Sequence, residues 1–186
     1  AGQITLKGTD IRSLPQSELR SAISYIPQRA WLFSGTIEEN LRYGNPDATR
    51  EDLIRALKTA QADFVLDLPG GLKSHVSQGG TNFSGGQRQR LSIARALVKT
   101  ADLYVFDDSF SALDFQTDAA LRHALQEEIT EAGLLIIAQR ISTILHADQI
   151  LVLNEGQIAG IGRHEELMET CPVYRDIAHS QMKGGN

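Results

Sequence analysis

A serine, two glycines and a glutamine stand together at Ser84-Gly85-Gly86-Gln87, inside the longer run Asn82-Phe83-Ser84-Gly85-Gly86-Gln87-Arg88-Gln89-Arg90. Ser followed three residues later by Gln is the pattern of a capping box, in which the two side chains satisfy free N–H groups at a helix start. The glycines add no side chains over the other free N–H groups, and the helix dipole adds positive character at the same point. Such a corner suits a phosphate. Further along, Leu103-Tyr104-Val105-Phe106 ends in two carboxylates, Asp107 and Asp108. A continuous apolar run with aromatic and β-branched members reads as a buried parallel strand. Its carboxyl end is where open α/β sheets bind ligands. Taken singly, the first segment is also an ordinary helix cap and the second a strand leaving the core.

The elements that would position these groups can be read along the chain. Residues 3–6 and 24–26 read as strands, with a short helix around Ser17–Arg20 between them. Residues 36–42 and 50–60 read as helices, the second with Thr49 as N-cap and Asp52 at its third position. A short helix over 62–67 precedes the turn Leu68-Pro69-Gly70-Gly71, and a longer one runs from Ser84 to Val98. Strand 103–107, helix 114–131 and strand 134–138 form a βαβ unit with a right-handed crossover. Strands 149–153 and 157–161 flank the hairpin signal Asn154-Glu155-Gly156, and helices over 164–169 and 172–181 follow.

In order, these segments resemble the motifs of the ATP-binding cassette (ABC) ATPases, over essentially the whole chain. Tyr25-Ile26-Pro27-Gln28 resembles the Q-loop, and Ser84–Gln87 the signature motif. Residues 103–108 resemble Walker B, and Ser111-Ala112-Leu113-Asp114 the D-loop, with Asp114 placed to cap the next helix. Gln139-Arg140-Ile141-Ser142-Thr143-Ile144 resembles the switch segment, where the family normally has His at the position of Gln139. The resemblance implies a P-loop NTPase α/β fold. Residues 1–28 and 97–162 would form an incomplete RecA-like core, 29–96 the helical subdomain, and 163–186 the C-terminal helices.

It also implies roles. Gln28 would contact Mg²⁺ or the attacking water, and Asp107 would hold Mg²⁺ at this chain's own ATP, a hard cation preferring oxygen ligands. Ser84, Gly85, Gly86 and Gln87 would bind the ATP held by a second subunit, Ser84 and Gly86 at its γ-phosphate and Gln87 supporting the loop. The P-loop pattern G-x-x-x-x-G-K-[ST] is not found in the sequence. Ala1-Gly2-Gln3-Ile4-Thr5-Leu6-Lys7-Gly8 resembles the strand and turn that follow it in the family. The expectation is a fragment that binds ATP poorly alone and is inactive in isolation, the alternative being a protein that naturally dispenses with the P-loop.

Two stretches point to the exporter branch. Leu32-Phe33-Ser34-Gly35-Thr36-Ile37-Glu38-Glu39-Asn40-Leu41 resembles the segment that follows the Q-loop in exporters, and Val76-Ser77-Gln78-Gly79-Gly80 the exporter loop that senses the membrane domain. Trp31, Leu32 and Phe33 then read either as core or as an exposed groove for a permease segment. The permease would belong to the same full-length chain, at the cytoplasmic face of a bacterial inner membrane. Two departures stand out. The position after the Walker B Asp usually holds Glu, and here it holds Asp108, one methylene shorter. A general base must come within about 2.6–3.2 Å of its proton. Gln139 can donate a hydrogen bond but cannot take up a proton as His can. The resemblance therefore implies the degenerate half of a heterodimeric exporter, whose signature completes the site of a partner carrying Glu and His. The alternatives are a homodimer with slow hydrolysis, or a nucleotide-gated module that does not hydrolyse.

Composition agrees. At 186 residues, 41% hydrophobic and 22% charged, the chain can bury a real core. With 18 basic against 23 acidic residues, a net charge of −5 and no Lys/Arg run, it does not read as a nucleic-acid binder. Arg88, Arg90 and Arg95 read as a solvated face with local ion pairs. The one cysteine, Cys171, cannot form an internal disulfide and is consistent with a reducing cytosol. No apolar run reaches the roughly 18 residues of a membrane span.

Overall fold

The computed structural model describes residues 2–183, so Ala1 and residues 184–186 of the expected first and last segments lie outside the described residues. The chain divides into two compact units, Ala1–Ile137 and Ala138–Asn186.

In the first unit the elements are β1 (Thr5–Leu6), β2 (Thr9–Asp10), α1 (Gln16–Ala22), β3 (Ile23–Ile26), β4 (Gly35–Thr36), α2 (Ile37–Arg42), α3 (Arg50–Thr59), β5 (His75–Val76), α4 (Gly85–Leu97), β6 (Leu103–Asp107), α5 (Phe115–Glu128) and β7 (Gly133–Ile137). Three strands make a parallel sheet in the order β3-β6-β7, with Tyr25 opposite Val105 and Val105 opposite Leu135. One face of the sheet is buried through Ser24, Ile26, Tyr104 and Phe106. Ser24 Oγ ties this face to α4 by donating to Ala96 O at 2.8 Å. On the other face Tyr25, Leu135 and Ile137 are 55%, 50% and 48% exposed. The apolar run at 103–106 is therefore buried on one side only, because the layer of helices in this unit covers a single face. Parallel sheets are ordinarily covered on both.

The helices start where local chemistry dictates. Thr36 and Glu39 form a reciprocal capping box on α2, with Thr36 N donating to Glu39 Oε2 at 2.6 Å and Glu39 N to Thr36 Oγ1 at 3.1 Å. Thr49 and Asp52 do the same on α3. The buried stripes Leu53, Ala56 and Leu57 of α3, Leu91, Ile93 and Ala94 of α4, and Leu121 and Leu125 of α5 close one hydrophobic core with Ile26, Leu32 and Phe106. The expected helix over 62–67 is a single 3-10 turn, Asp63–Val65, and the helix expected to reach 131 stops at Glu128. The ribbon pairing Gly35 with Val76 and Thr36 with His75 was not foreseen, since two-residue strands carry no readable periodicity.

The second unit contains α6 (Ile141–Ile144), β8 (Ile150–Asn154), β9 (Gln157–Gly162), α7 (His164–Thr170) and α8 (Pro172–Lys183). Strands β8 and β9 form the expected antiparallel hairpin. Ile150 and Val152 pack with Leu167, Cys171, Tyr174 and Ala178. Among the described residues no helix is long and apolar enough to cross a membrane.

Candidate functional site

The turn before α4 has the geometry its sequence implies. Ser84 is the N-cap, with Gln87 N donating to Ser84 Oγ at 3.2 Å and Ser84 N donating to Gln87 Oε1 at 2.9 Å. The cap takes up those two N–H groups and leaves the N–H groups of Gly85 and Gly86 for another acceptor. A Cβ at Gly85 would meet only Arg88 Nη2 at 3.9 Å, and one at Gly86 only Ala112 O at 3.5 Å. Neither glycine has a left-handed φ. Among the described residues no contact requires glycine at either position. In the preceding turn the reverse holds: Gly79 and Gly80 have φ of 73° and 68°, which side-chain-bearing residues adopt only under strain.

The carboxyl end of β6 collects a second group. Asp107 Oδ2 accepts from Tyr25 OH at 2.7 Å, across the β3–β6 pairing. That hydrogen bond, then burial and the Asp107 charge, hold the Tyr25 phenol above its ordinary titration range. Asp108 is buried, has φ of 45°, and its Oδ2 accepts from Gln28 Nε2 at 2.9 Å. A left-handed non-glycine residue is uncommon, and Asp is among the residue types that tolerate it. It re-aims the chain, and Asp108 N donates to Ile137 O at 2.9 Å while Asp108 O accepts from Ser111 Oγ at 2.8 Å. Ser109 Oγ donates to Ile26 O at 3.0 Å, and the buried Gln89 reaches Pro27 O at 3.4 Å from α4. The structure thus brings Gln28, Asp107, Asp108 and the 111–114 turn to one end of the sheet. Asp114 caps α5, accepting from Thr117 N at 2.9 Å, and Leu113 is buried. Gln139 belongs to the second unit, is exposed, and its carbonyl accepts from Gln181 Nε2 at 2.6 Å.

Among the described residues no group of three His, Cys, Asp or Glu side chains stands ready to hold a metal ion. The oxygen donors of Asp107 and Gln28 nevertheless fit Mg²⁺, which commonly binds one or two protein oxygens together with phosphate oxygens and water.

The arginines of α4 differ from expectation. All three are half-buried, and their neighbours are carbonyls and rings. Arg88 donates to Phe83 O at 2.6 Å, and Arg90 donates to Gln61 O at 2.7 Å and lies 5.0 Å from the Phe64 ring. Arg95 lies 5.7 Å from the Phe33 ring. Sequence spacing alone could not show that α4 runs along the helical core rather than along its outside. The Trp31–Phe33 stretch splits between its two readings. Leu32 is fully buried, whereas Trp31, Phe33 and Tyr43 are 54%, 44% and 65% exposed. Phe33 and Tyr43 pack ring to ring at 4.6 Å. Asn40 holds this loop, its Oδ1 accepting from Phe33 N and its Nδ2 donating to Phe33 O, both at 2.8 Å.

This combination of fold and motifs is that of an ABC ATPase, and comparison with known proteins agrees. The ABC transporter family matches residues 1–111, well over half of the chain. The chain belongs to the ABC transporter family, as an ATP-binding domain. It is 47% identical over 184 residues to an uncharacterised ABC transporter ATP-binding protein of Mycobacterium bovis, covering 97% of this chain and 31% of that protein. It is 40% identical over 175 residues to the ATP-dependent lipid A-core flippase of Chromobacterium violaceum, covering 94% of this chain and 30% of that protein. Among solved structures, a bacterial Atm1-family ABC exporter with ATP bound superposes with a TM-score of 0.93 at 37% identity, covering 98% of this chain and 32% of that one. The chain thus spans about a third of the length of the relatives it matches.

Proposed function

We propose that this chain is the ATP-binding domain of a bacterial ABC exporter, working at the cytoplasmic face of the membrane. It would couple ATP binding and hydrolysis between two such domains to export by a membrane domain of the same full-length protein. Residues 1–28 and 97–162 would be its share of the RecA-like core, 29–96 the helical subdomain and 163–186 the C-terminal helices. In the dimer, Ser84, Gly85 and Gly86 would contact the γ-phosphate of the partner subunit's ATP, and Gln87 would hold the turn. Asp107 and Gln28 would hold Mg²⁺, which neutralises phosphate charge when bound. Ser111, Ala112, Leu113 and Asp114 would shape the subunit junction beside Gly86. Trp31, Phe33 and Tyr43 would receive a segment of the membrane domain.

The chain's own site would be impaired in hydrolysis while its signature completes the partner's site. The observation that carries this reading is the Asp108 carboxylate, which ends against Gln28 Nε2 at 2.9 Å. Where the family usually has the longer Glu, this shorter side chain is spent on its own Q-loop instead of reaching toward a water. Gln139 removes the proton-accepting imidazole from the same function. The partner would be a second ABC subunit carrying Glu and His, making a heterodimer. A homodimer with slow hydrolysis is the competing reading.

Steady-state ATPase of the full-length complex separates the two. Asp108→Ala should retain most of the activity, and Gly86→Asp should lower it by roughly 10²-fold, the scale of removing one phosphate-facing donor. If both variants abolish turnover, Asp108 is a working base and the asymmetric reading falls.

A further inference from the structure

In the second unit, the backbone of Gln139-Arg140-Ile141 is held by one side chain that lies 40 and 42 residues further along the chain. Gln181 Nε2 donates to Gln139 O at 2.6 Å, and Gln181 Oε1 accepts from Ile141 N at 2.9 Å. A single primary amide therefore bonds the carbonyl on one side of Arg140 and the N–H on the other. A backbone peptide of a neighbouring strand would offer the same donor and acceptor, and Arg140 is extended, with φ of −95° and ψ of 125°. Helix α6 has no side-chain cap, because Arg140 stands at the N-cap position and carries donors only. The first N–H of α6, on the buried residue Ile141, takes its acceptor from α8 instead.

Packing within the second unit aims that amide. Tyr174 and Ala178 of α8 are buried against Leu167, Cys171, Ile150 and Val152, in the core that also takes Ile141. Gln181 continues their stripe at the i, i+4, i+7 spacing of one helix face, so the packing that seats α8 also places Gln181. Tyr174 OH meets His164 Nδ1 at 2.8 Å, which ties α7 to the same helix. Gln139 is exposed, and its side chain leaves a backbone whose course is set from α8. A side chain that must meet a phosphate oxygen depends on such support, since a misplacement of about 1 Å can cost ~10²-fold.

We infer that Gln181 is a positioning residue for the switch segment. Through the backbone of residues 139–141 it holds the Gln139 amide where it donates to a phosphate oxygen of this chain's own ATP, so α8 sets how long that ATP is retained. The inference rests on the reading of Gln139 as part of the ATP site and adds the element that controls it.

The experiment uses the full-length complex with its partner, loaded with 8-azido-ATP, chased with unlabelled ATP for varied times and then photocrosslinked, so that retention on this subunit is read from its own gel band. Gln139→Ala removes the donor and should release ATP about three- to tenfold faster, the scale of one hydrogen bond. Gln181→Ala should speed release by a similar factor. Gln181→Glu, which keeps the acceptor for Ile141 N and withdraws the donor to Gln139 O, should speed it as well. The double variant of Gln139→Ala with Gln181→Ala should be no faster than Gln139→Ala alone, as for two residues acting through one contact. Hydrogen exchange over residues 139–144 should rise in Gln181→Ala and stay native in Gln139→Ala. Faster exchange in Gln181→Ala with unchanged ATP release would make Gln181 a structural cap only, and an additive double variant would place its effect outside Gln139. Either result overturns the inference while the role of Gln139 stands. Unchanged release in Gln139→Ala would overturn the reading of Gln139 as a phosphate donor, and the inference with it.

Discussion

The turn at Ser84–Gln87 takes its hydrogen bonds from residues three positions apart, whereas Asp107 and Asp108 take theirs from Tyr25 and Gln28, 82 and 80 residues away. The first region is a local device: a neutral hydroxyl and a neutral amide satisfy each other, and two unencumbered glycines leave N–H groups pointing outward. The second is a tertiary device. Two strands must pair in register before a tyrosine can meet one carboxylate and a glutamine the other. The contrast separates two kinds of robustness. A signature turn survives wherever its four residues survive. A hydrolytic carboxylate depends on side-chain length to within about 1 Å and on partners elsewhere in the chain, so it is the part that one methylene can disable.

The largest effect that could break this contrast is at Asp108. Asp108→Glu in the full-length complex should raise single-turnover hydrolysis at this chain's own site by about tenfold or more, within the ~10²-fold that a 1 Å displacement can cost. Unchanged single-turnover rates would mean that reach does not limit the site. Next in size, Gln28→Ala removes a charge-assisted hydrogen bond from a buried carboxylate. It should cost about 1.5–3 kcal/mol, visible as a lower midpoint in urea unfolding with an unchanged slope. Ser84→Ala should cost less, about 1 kcal/mol for a lost N-cap, and lower Tm by roughly 2–4 °C. A larger loss from Ser84→Ala than from Gln28→Ala would invert the comparison.

The smallest effect is also the sharpest in location. The caps of α2, α3 and α5 use Glu39, Asp52 and Asp114, each held below the ordinary carboxylate range. For Glu39 the main cause is the Thr36 N–H and then the Thr36 hydroxyl, for Asp52 the Thr49 hydroxyl and then its N–H, and for Asp114 the Thr117 N–H and then its hydroxyl. A carboxylate whose folded pKa is depressed stabilises the fold above its unfolded value, and that contribution disappears as pH falls through the folded value. The starts of these three helices should therefore lose amide protection progressively below about pH 4. The start of α4, capped by Ser84 and Gln87, should not follow them. Hydrogen exchange read by mass spectrometry at successive pH values would show it, and parallel loss at α4 would refute the distinction.

Much of the fold was readable because its signals are local. The capping residues Thr49, Ser84 and Asp114 mark helix starts within one turn of their own positions. The run 103–107 and the hairpin around Glu155 and Gly156 declare themselves over five or six residues. Less was readable of what holds the candidate site. Tyr25 on Asp107, Gln89 on Pro27 and Asn40 on Phe33 gave no signal, because a polar residue in a strand or helix does not announce its distant partner. The arginines of α4 were misread for the same reason: spacing shows that they share a helix, not that carbonyls and aromatic rings lie beside them.

From residue order alone came the longer helices and strands and the phosphate-suited turn, since propensity, capping and period act over a few neighbouring residues. Folding in three dimensions settled which apolar residues stay exposed, that Asp108 ends on Gln28, and that Arg95 lies half-buried against the Phe33 ring. Those outcomes depend on contacts between segments far apart in sequence, where burial and packing geometry override any local preference.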